Sequence, residues 1–206
     1  MRFILQTALV LIFWFSAIDT HAQGLETPQA RQGYYLGLGF GGAYILNIEK
    51  GDIYPGWPGG VFSFRLGQAL NDDWALGILI DSNFGTDAEK TGFYGGLSIE
   101  AHWHTFSPMT IRMSAGFAVS SVREILDPDE PALGGVGDFY ALGVSYDYFP
   151  LYESGSGGFA LSPVIEFKAF PREGFASVLG WVGVDLTWWL GLPKNQLDLG
   201  VEDAFK

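Results

Sequence analysis

Gln32–Ile48 reads QGYYLGLGFGGAYILNI, a run with five glycines and no charged residue. Taken in twos, Tyr34, Leu36, Leu38, Phe40, Tyr44 and Leu46 fall on one side. Tyr35, Gly37, Gly39, Gly41 and Ala43 fall on the other. Successive side chains of a strand point to opposite faces, so the run reads as one β-strand with a large apolar face and a small-residue face.

Seven further segments repeat the pattern: Gly60–Leu70, Asp73–Asn83, Thr91–Thr105, Met109–Val122, Asp138–Phe149, Gly158–Ala169 and Phe175–Leu190. In the second, Phe62, Phe64 and Leu66 oppose Ser63, Arg65 and Gly67. In the fourth, Phe93, Leu97, Ile99 and Trp103 oppose Ser98, Glu100, His102 and His104. In the eighth, Val182, Val184, Leu186 and Trp188 oppose Gly183, Asp185 and Thr187. An even number of antiparallel strands suits a closed bacterial barrel. Asn71-Asp72-Asp73 and Ser107-Pro108 read as tight turns, and Asn47–Pro58, Phe84–Lys90 and Arg123–Gly137 as longer polar loops on the opposite rim. Two connections break this asymmetry, a long Pro150–Gly157 and a short Pro171–Gly174.

Alternation alone fits a soluble sandwich as well as a membrane barrel. Three features place the large apolar face outward, in lipid. The other face is mostly Gly, Ala and Ser with few charges, suited to the narrow lumen of eight strands. Tyr34, Trp57, Trp74, Trp103, Tyr146, Tyr148 and Trp188 gather near strand ends, where membrane girdles sit. The segments are long enough for the ~9–11 tilted residues that cross a bilayer. The expectation is all-β: an eight-stranded antiparallel up-and-down transmembrane β-barrel over residues 33–190, in the outer membrane.

Composition bounds the function. The chain has 206 residues, 29 glycines, 33 aromatics, no cysteine and a formal charge of −12. The charge argues against nucleic-acid binding, which wants basic patches. Absent cysteine removes disulfides and thiolate sites. Residues 1–22 read as a secretory signal peptide: Arg2, an apolar run Ala8–Ile18, then Thr20-His21-Ala22 before a cut at Gln23. Residues 23–32 form a short N-terminal segment and 191–206 an acidic periplasmic tail.

The chain resembles the eight-stranded outer-membrane proteins of Gram-negative bacteria, the OmpA-transmembrane-domain and OmpX-like group, over roughly Gln32–Leu190. In the last strand, Trp181-x-Gly183-x-x-Leu186-x-Trp188 looks like the signal that the barrel-assembly machinery reads in that family. The resemblance implies a monomeric structural or surface-interaction protein (envelope integrity, adhesion) that acts on no substrate, with outer-membrane lipid and lipopolysaccharide as its surroundings. The alternatives are a narrow pore for ions or small polar solutes, or a barrel enzyme modifying lipid A or phospholipid. The tail is too short for a peptidoglycan-binding domain.

Few motifs carry chemistry. Gly37, Gly39 and Gly42 satisfy G-x-G-x-x-G, but no helix follows, so a dinucleotide site is not expected. No cofactor is expected. Glu100, His102 and His104 share one face at ~6.8 Å spacing and are weak candidates for a metal. Asp127-Pro128-Asp129-Glu130-Pro131 is an acidic cluster that could hold Ca²⁺ or bridge to lipopolysaccharide. The lumen face carries Arg65, Arg112 and Lys168 against Asp81, Glu100, Asp147, Glu166 and Asp185. Buried charges must pair. Pairing strands four and five around Ser107-Pro108 sets His102 opposite Arg112, so the expected contacts are Glu100 with Arg112 and Arg65 with Asp81.

Overall fold

The computed structural model describes residues 31–49, 51–86, 89–106, 108–125, 133–150, 158–172 and 175–191. Within them the chain forms β1 (Tyr34–Glu49), β2 (Asp52–Ala69), β3 (Trp74–Thr86), β4 (Lys90–Phe106), β5 (Met109–Glu124), β6 (Leu133–Tyr146), β7 (Phe159–Arg172) and β8 (Phe175–Trp189). Each strand pairs antiparallel with its neighbours in sequence, and β1 pairs with β8, closing the barrel. Closure gives every strand a hydrogen-bonded neighbour on both sides, as hydrocarbon demands. Following paired residues once around, from Leu36 through Leu66, Ile78, Ile99, Ala115, Tyr140, Ala169 and Val178, returns to β1 at Leu46. That stagger of ten residues obliges the strands to tilt, by about 35–45° in barrels generally.

The faces sort as the alternation requires. Phe62 is 50 % exposed and Ile99 64 %, while Arg65 is 1 % and Asp185 0 % exposed. A soluble protein does not expose a continuous belt of Phe, Leu and Ile around its whole circumference; a bilayer covers one. Aromatics crowd the rim that holds the chain termini. Tyr34, Trp74 and Phe159 open β1, β3 and β7, and Tyr146 closes β6. Trp103 stacks on Trp74 at 5.8 Å and Trp188 packs on Phe159 at 5.2 Å.

Several boundaries differ from the sequence reading. Strands run into all three supposed long loops. β1 and β2 stay paired to Glu49↔Asp52, turning at Gly51, whose φ of 97° needs a glycine. β2 therefore starts eight residues early: Pro55 and Pro58 sit where β3, whose pairing begins at Gly59↔Gly85, no longer needs a donor from β2. β6 starts at Leu133 rather than Asp138. Trp57 is not a girdle residue but is buried in the lumen. Asn71 makes the β2–β3 turn by accepting from the backbone N–H of Asp73 (2.9 Å) and Trp74 (2.8 Å). The signal peptide, the acidic cluster Asp127–Pro131, most of Pro150–Gly157 and the tail beyond Gly191 lie outside the described residues.

One ladder is short. β6 and β7 pair continuously only from Tyr140↔Ala169 to Ser145↔Val164, six pairs against eleven to fifteen elsewhere, with one further bridge at Tyr148↔Leu161. Pro163 and Pro171 flank the paired stretch of β7, and neither has an N–H to donate.

Candidate functional site

The barrel encloses three layers. Towards the rim of the chain termini lie Tyr35, Ala75, Phe149, Ala160 and Trp189. Towards the opposite rim lie Ile45, Trp57, Tyr94, Val122, Phe139, Phe170 and Leu179. Most of the buried charged side chains occupy the middle, while Asp147 lies nearer the terminus rim, beside the turn at Pro108. β8 shows the order most plainly, presenting Leu179 and Trp181, then Asp185, then Trp189, all inward; β4 presents Tyr94, then Ser98, Glu100, His102 and His104.

Glycine makes room for the middle layer. A Cβ on Gly37 would press on Arg65 at 3.2 Å, one on Gly143 would meet Glu166 at 2.8 Å, and one on Gly39 would overlap the Asp185 carboxylate and the Ser63 hydroxyl. Two glycines of the G-x-G-x-x-G pattern thus serve packing within a strand. The third, Gly42, points outward with nothing within 4 Å.

Arg65 is the hub. Its Nε donates to both Glu100 oxygens at 3.2 and 3.1 Å, and its Nη1 donates to Asp185 at 3.0 Å and to Ser63 at 2.5 Å. Glu166 lies 3.7 Å from Nη2. Arg112 donates to the other oxygen of Asp185. Lys168 donates to Asp81 at 2.6 Å and Asn83 at 3.3 Å, sits 3.5 Å from Glu166, and lies over the Trp181 ring. The Trp181 indole N–H donates to Glu166 at 3.0 Å. These groups are all buried, so the carboxylates are compensated by charge-assisted hydrogen bonds rather than by bulk water.

The expected partners are not the ones that form. The β4–β5 register does set His102 opposite Arg112, yet Arg112 reaches across the lumen to Asp185, and Glu100 goes to Arg65 instead. Asp81 pairs with Lys168 rather than Arg65. Neighbouring-strand geometry governs only adjacent pairs; in a lumen this narrow, long cations also reach the far wall.

Glu100, His102 and His104 do not converge on one point. His102 Nε2 meets Glu100 Oε1 at 2.6 Å, whereas His104 Nδ1 meets the Thr110 hydroxyl at 2.8 Å. Among the described residues no group of three His, Asp or Glu side chains could hold a metal ion. Asp147 also stands apart from the hub, accepting from Thr110 at 2.7 Å and Ser145 at 3.2 Å.

Sequence reasoning missed Arg31. It precedes β1, yet it is only 2 % exposed and donates to Asp147 at 2.8 Å and to the Pro108 carbonyl at 3.3 Å, with its guanidinium 5.5 Å from the Phe149 ring centroid. No periodicity marks a residue outside the strands. It brings the described lumen charges to four Arg/Lys against five carboxylates.

A closed eight-stranded barrel with an apolar belt outside and ion pairs inside is a transmembrane β-barrel of the outer-membrane type. The solved structures it resembles belong to that class. Ail, the attachment invasion locus protein of Yersinia pestis, aligns at 10 % identity and a TM-score of 0.50, covering 76 % of this chain and 99 % of Ail. Neisserial surface protein A aligns at 13 % identity and a TM-score of 0.51, covering 77 % of this chain and 98 % of its own. Ail in complex with the heparin analogue sucrose octasulfate aligns at 11 % and 0.51, covering 76 % and 99 %. No family profile and no curated protein matches the sequence.

Proposed function

We propose that the protein is a monomeric outer-membrane barrel whose work is done by its wall and rim, as a structural or surface-interaction element, and that its lumen conducts no solute. The observation that carries this reading is the layered interior, with an ion-paired middle and apolar side chains toward both ends. A pore for ions needs a continuous polar, hydrated path. Here Tyr35 and Trp189 stand on one side of Arg65, and Trp57, Tyr94 and Phe170 on the other.

Lipopolysaccharide and outer-membrane lipid are the partners assigned to the belt, and the barrel-assembly machinery the one assigned to the last strand. The protein acts on no substrate in this reading: His102 is engaged with Glu100 and His104 with Thr110. A surface role draws on Ail, whose name records attachment and invasion. It also draws on the β1–β2 hairpin, which continues past its last pairing with β3 and presents Ile53 and Tyr54 exposed.

Purified barrel in planar bilayers tests the closed lumen. The expected record is a flat baseline, and stepwise unitary currents would establish the narrow-pore alternative. A strain lacking the protein tests the envelope role. Its sensitivity to bile salts or its adhesion to cell monolayers should change, and unaltered values in both would overturn that role.

A further inference from the structure

Arg31 lies just before β1, whose hydrogen-bonded neighbours are β2 and β8. Its three partners among the described residues lie elsewhere. Pro108 begins the turn into β5, and Asp147 and Phe149 follow β6. In a ring of eight strands β5 stands diametrically opposite β1. A group rooted beside β1 reaches that wall only by crossing the mouth.

We propose that Arg31 is the latch of a short strap, residues 31–33, that closes the terminus-side mouth of the barrel, and that releasing it admits water and small ions to the charged layer from that side. The proposal deepens the closed-lumen reading and rests on it. The geometry suits a releasable contact. Asp147 is held in place without Arg31, by Thr110 and Ser145, so the far anchor survives when the strap lifts. The near anchor is equally fixed. Gly33, at φ 73°, packs on Gly191, its carbonyl accepts from Ala69 N–H at 2.8 Å, and Tyr34 O accepts from Leu190 N–H at 2.6 Å. Between the two anchors, the Arg31 side chain bridges the opening. No strand hydrogen bond depends on it, so its loss leaves the barrel wall closed.

Ser162 supplies the probe. It faces the lumen of β7 opposite Asp185, is fully buried, and its hydroxyl has no hydrogen-bond partner among the described residues. Ser162→Cys therefore removes no interaction, and the natural chain has no cysteine to compete. The experiment is the rate of labelling of Ser162→Cys in lipid nanodiscs by a small cationic methanethiosulfonate, alone and combined with Arg31→Ala or Arg31→Gln. Folding is verified by the electrophoretic shift between heated and unheated protein.

The expected result is slow labelling in the single variant and at least tenfold faster labelling in both combinations, with the folded band retained. Equal slow rates in all three would overturn the latch and leave the closed lumen standing. Fast labelling of Ser162→Cys alone would overturn the closed lumen itself. Loss of the folded band on replacing Arg31 would overturn the strap by showing Arg31 to be part of the framework.

Discussion

Replacing Arg65 with methionine keeps an unbranched side chain of similar reach and removes the charge from the centre of the network. Three carboxylates lose a partner: Glu100 at 3.1 Å, Asp185 at 3.0 Å and Glu166 at 3.7 Å. None is left wholly bare. Asp185 keeps Arg112, Glu166 keeps Lys168 at 3.5 Å and the Trp181 indole at 3.0 Å, and Glu100 keeps His102 at 2.6 Å. The cost therefore corresponds to one broken buried pair, about 3–5 kcal/mol, rather than to three. At 1.4 kcal/mol per decade, that lowers the folding equilibrium constant by roughly two to four powers of ten. The assay is a urea titration of the barrel in lipid vesicles, followed by tryptophan fluorescence and by the electrophoretic shift of the folded form. Adding Glu100→Gln should recover part of the loss, because it removes a charge that the first substitution stranded, and contacting residues typically couple by about 0.5–3 kcal/mol. A loss under about 1 kcal/mol for Arg65→Met, the range of an exposed pair, would refute the reasoning by showing that water rather than Arg65 solvates these carboxylates.

Other expectations follow from the same geometry. Arg112→Ala should cost less than Arg65→Met in that titration, since Asp185 retains Arg65; an equal or larger cost would displace Arg65 as the hub. Gly39→Val and Gly42→Val should part ways although they lie three residues apart. The first overpacks Asp185 and Ser63 and loses about 1–3 kcal/mol, and the second projects into open space and stays within about 0.5 kcal/mol. Leu97→Arg on the outer face should cost about 2–4 kcal/mol in a bilayer, as charges near the midplane do, although 55 % exposure would make it harmless in a soluble protein. Amide exchange read by mass spectrometry should be fastest, among the strands, along β6–β7, where Pro163 and Pro171 bound the ladder. Uniform protection around the barrel would contradict that weak seam.

Much of the fold was legible because strand periodicity is local. Tyr34 to Leu46 alternate by size, the same alternation recurs seven times, and parity alone assigns Arg65, Glu100 and Asp185 to the face opposite Phe62, Ile99 and Val184. The turn at Ser107-Pro108 also set the register of His102 against Arg112. What was not legible depends on closure. Arg112 finds Asp185 and Lys168 finds Asp81 because the stagger of ten residues brings particular levels of distant strands together, and no single hairpin encodes that. The lumen also holds more bulk than the glycine-rich face suggested. Tyr35, Tyr94, Phe139 and Trp181 each fill space that neighbouring glycines leave, as the Tyr35 ring does beside Gly67 and Gly77. Arg31 escaped notice because its role arises from where the chain enters the barrel rather than from any pattern around it.

The central claim is that hydrocarbon surrounds the large apolar face while the charged face is sealed within. Spin labels on single cysteines in lipid report it most directly, through relaxation by oxygen, which partitions into hydrocarbon, and by a water-soluble nickel chelate. Labels at Phe62, Ile78, Leu97 and Val182 should respond strongly to oxygen and hardly to nickel, and labels at Ser98 and Ser162 weakly to both. Strong nickel relaxation at the first four positions, with the inner two inert, would instead describe a water-soluble barrel and contradict the account.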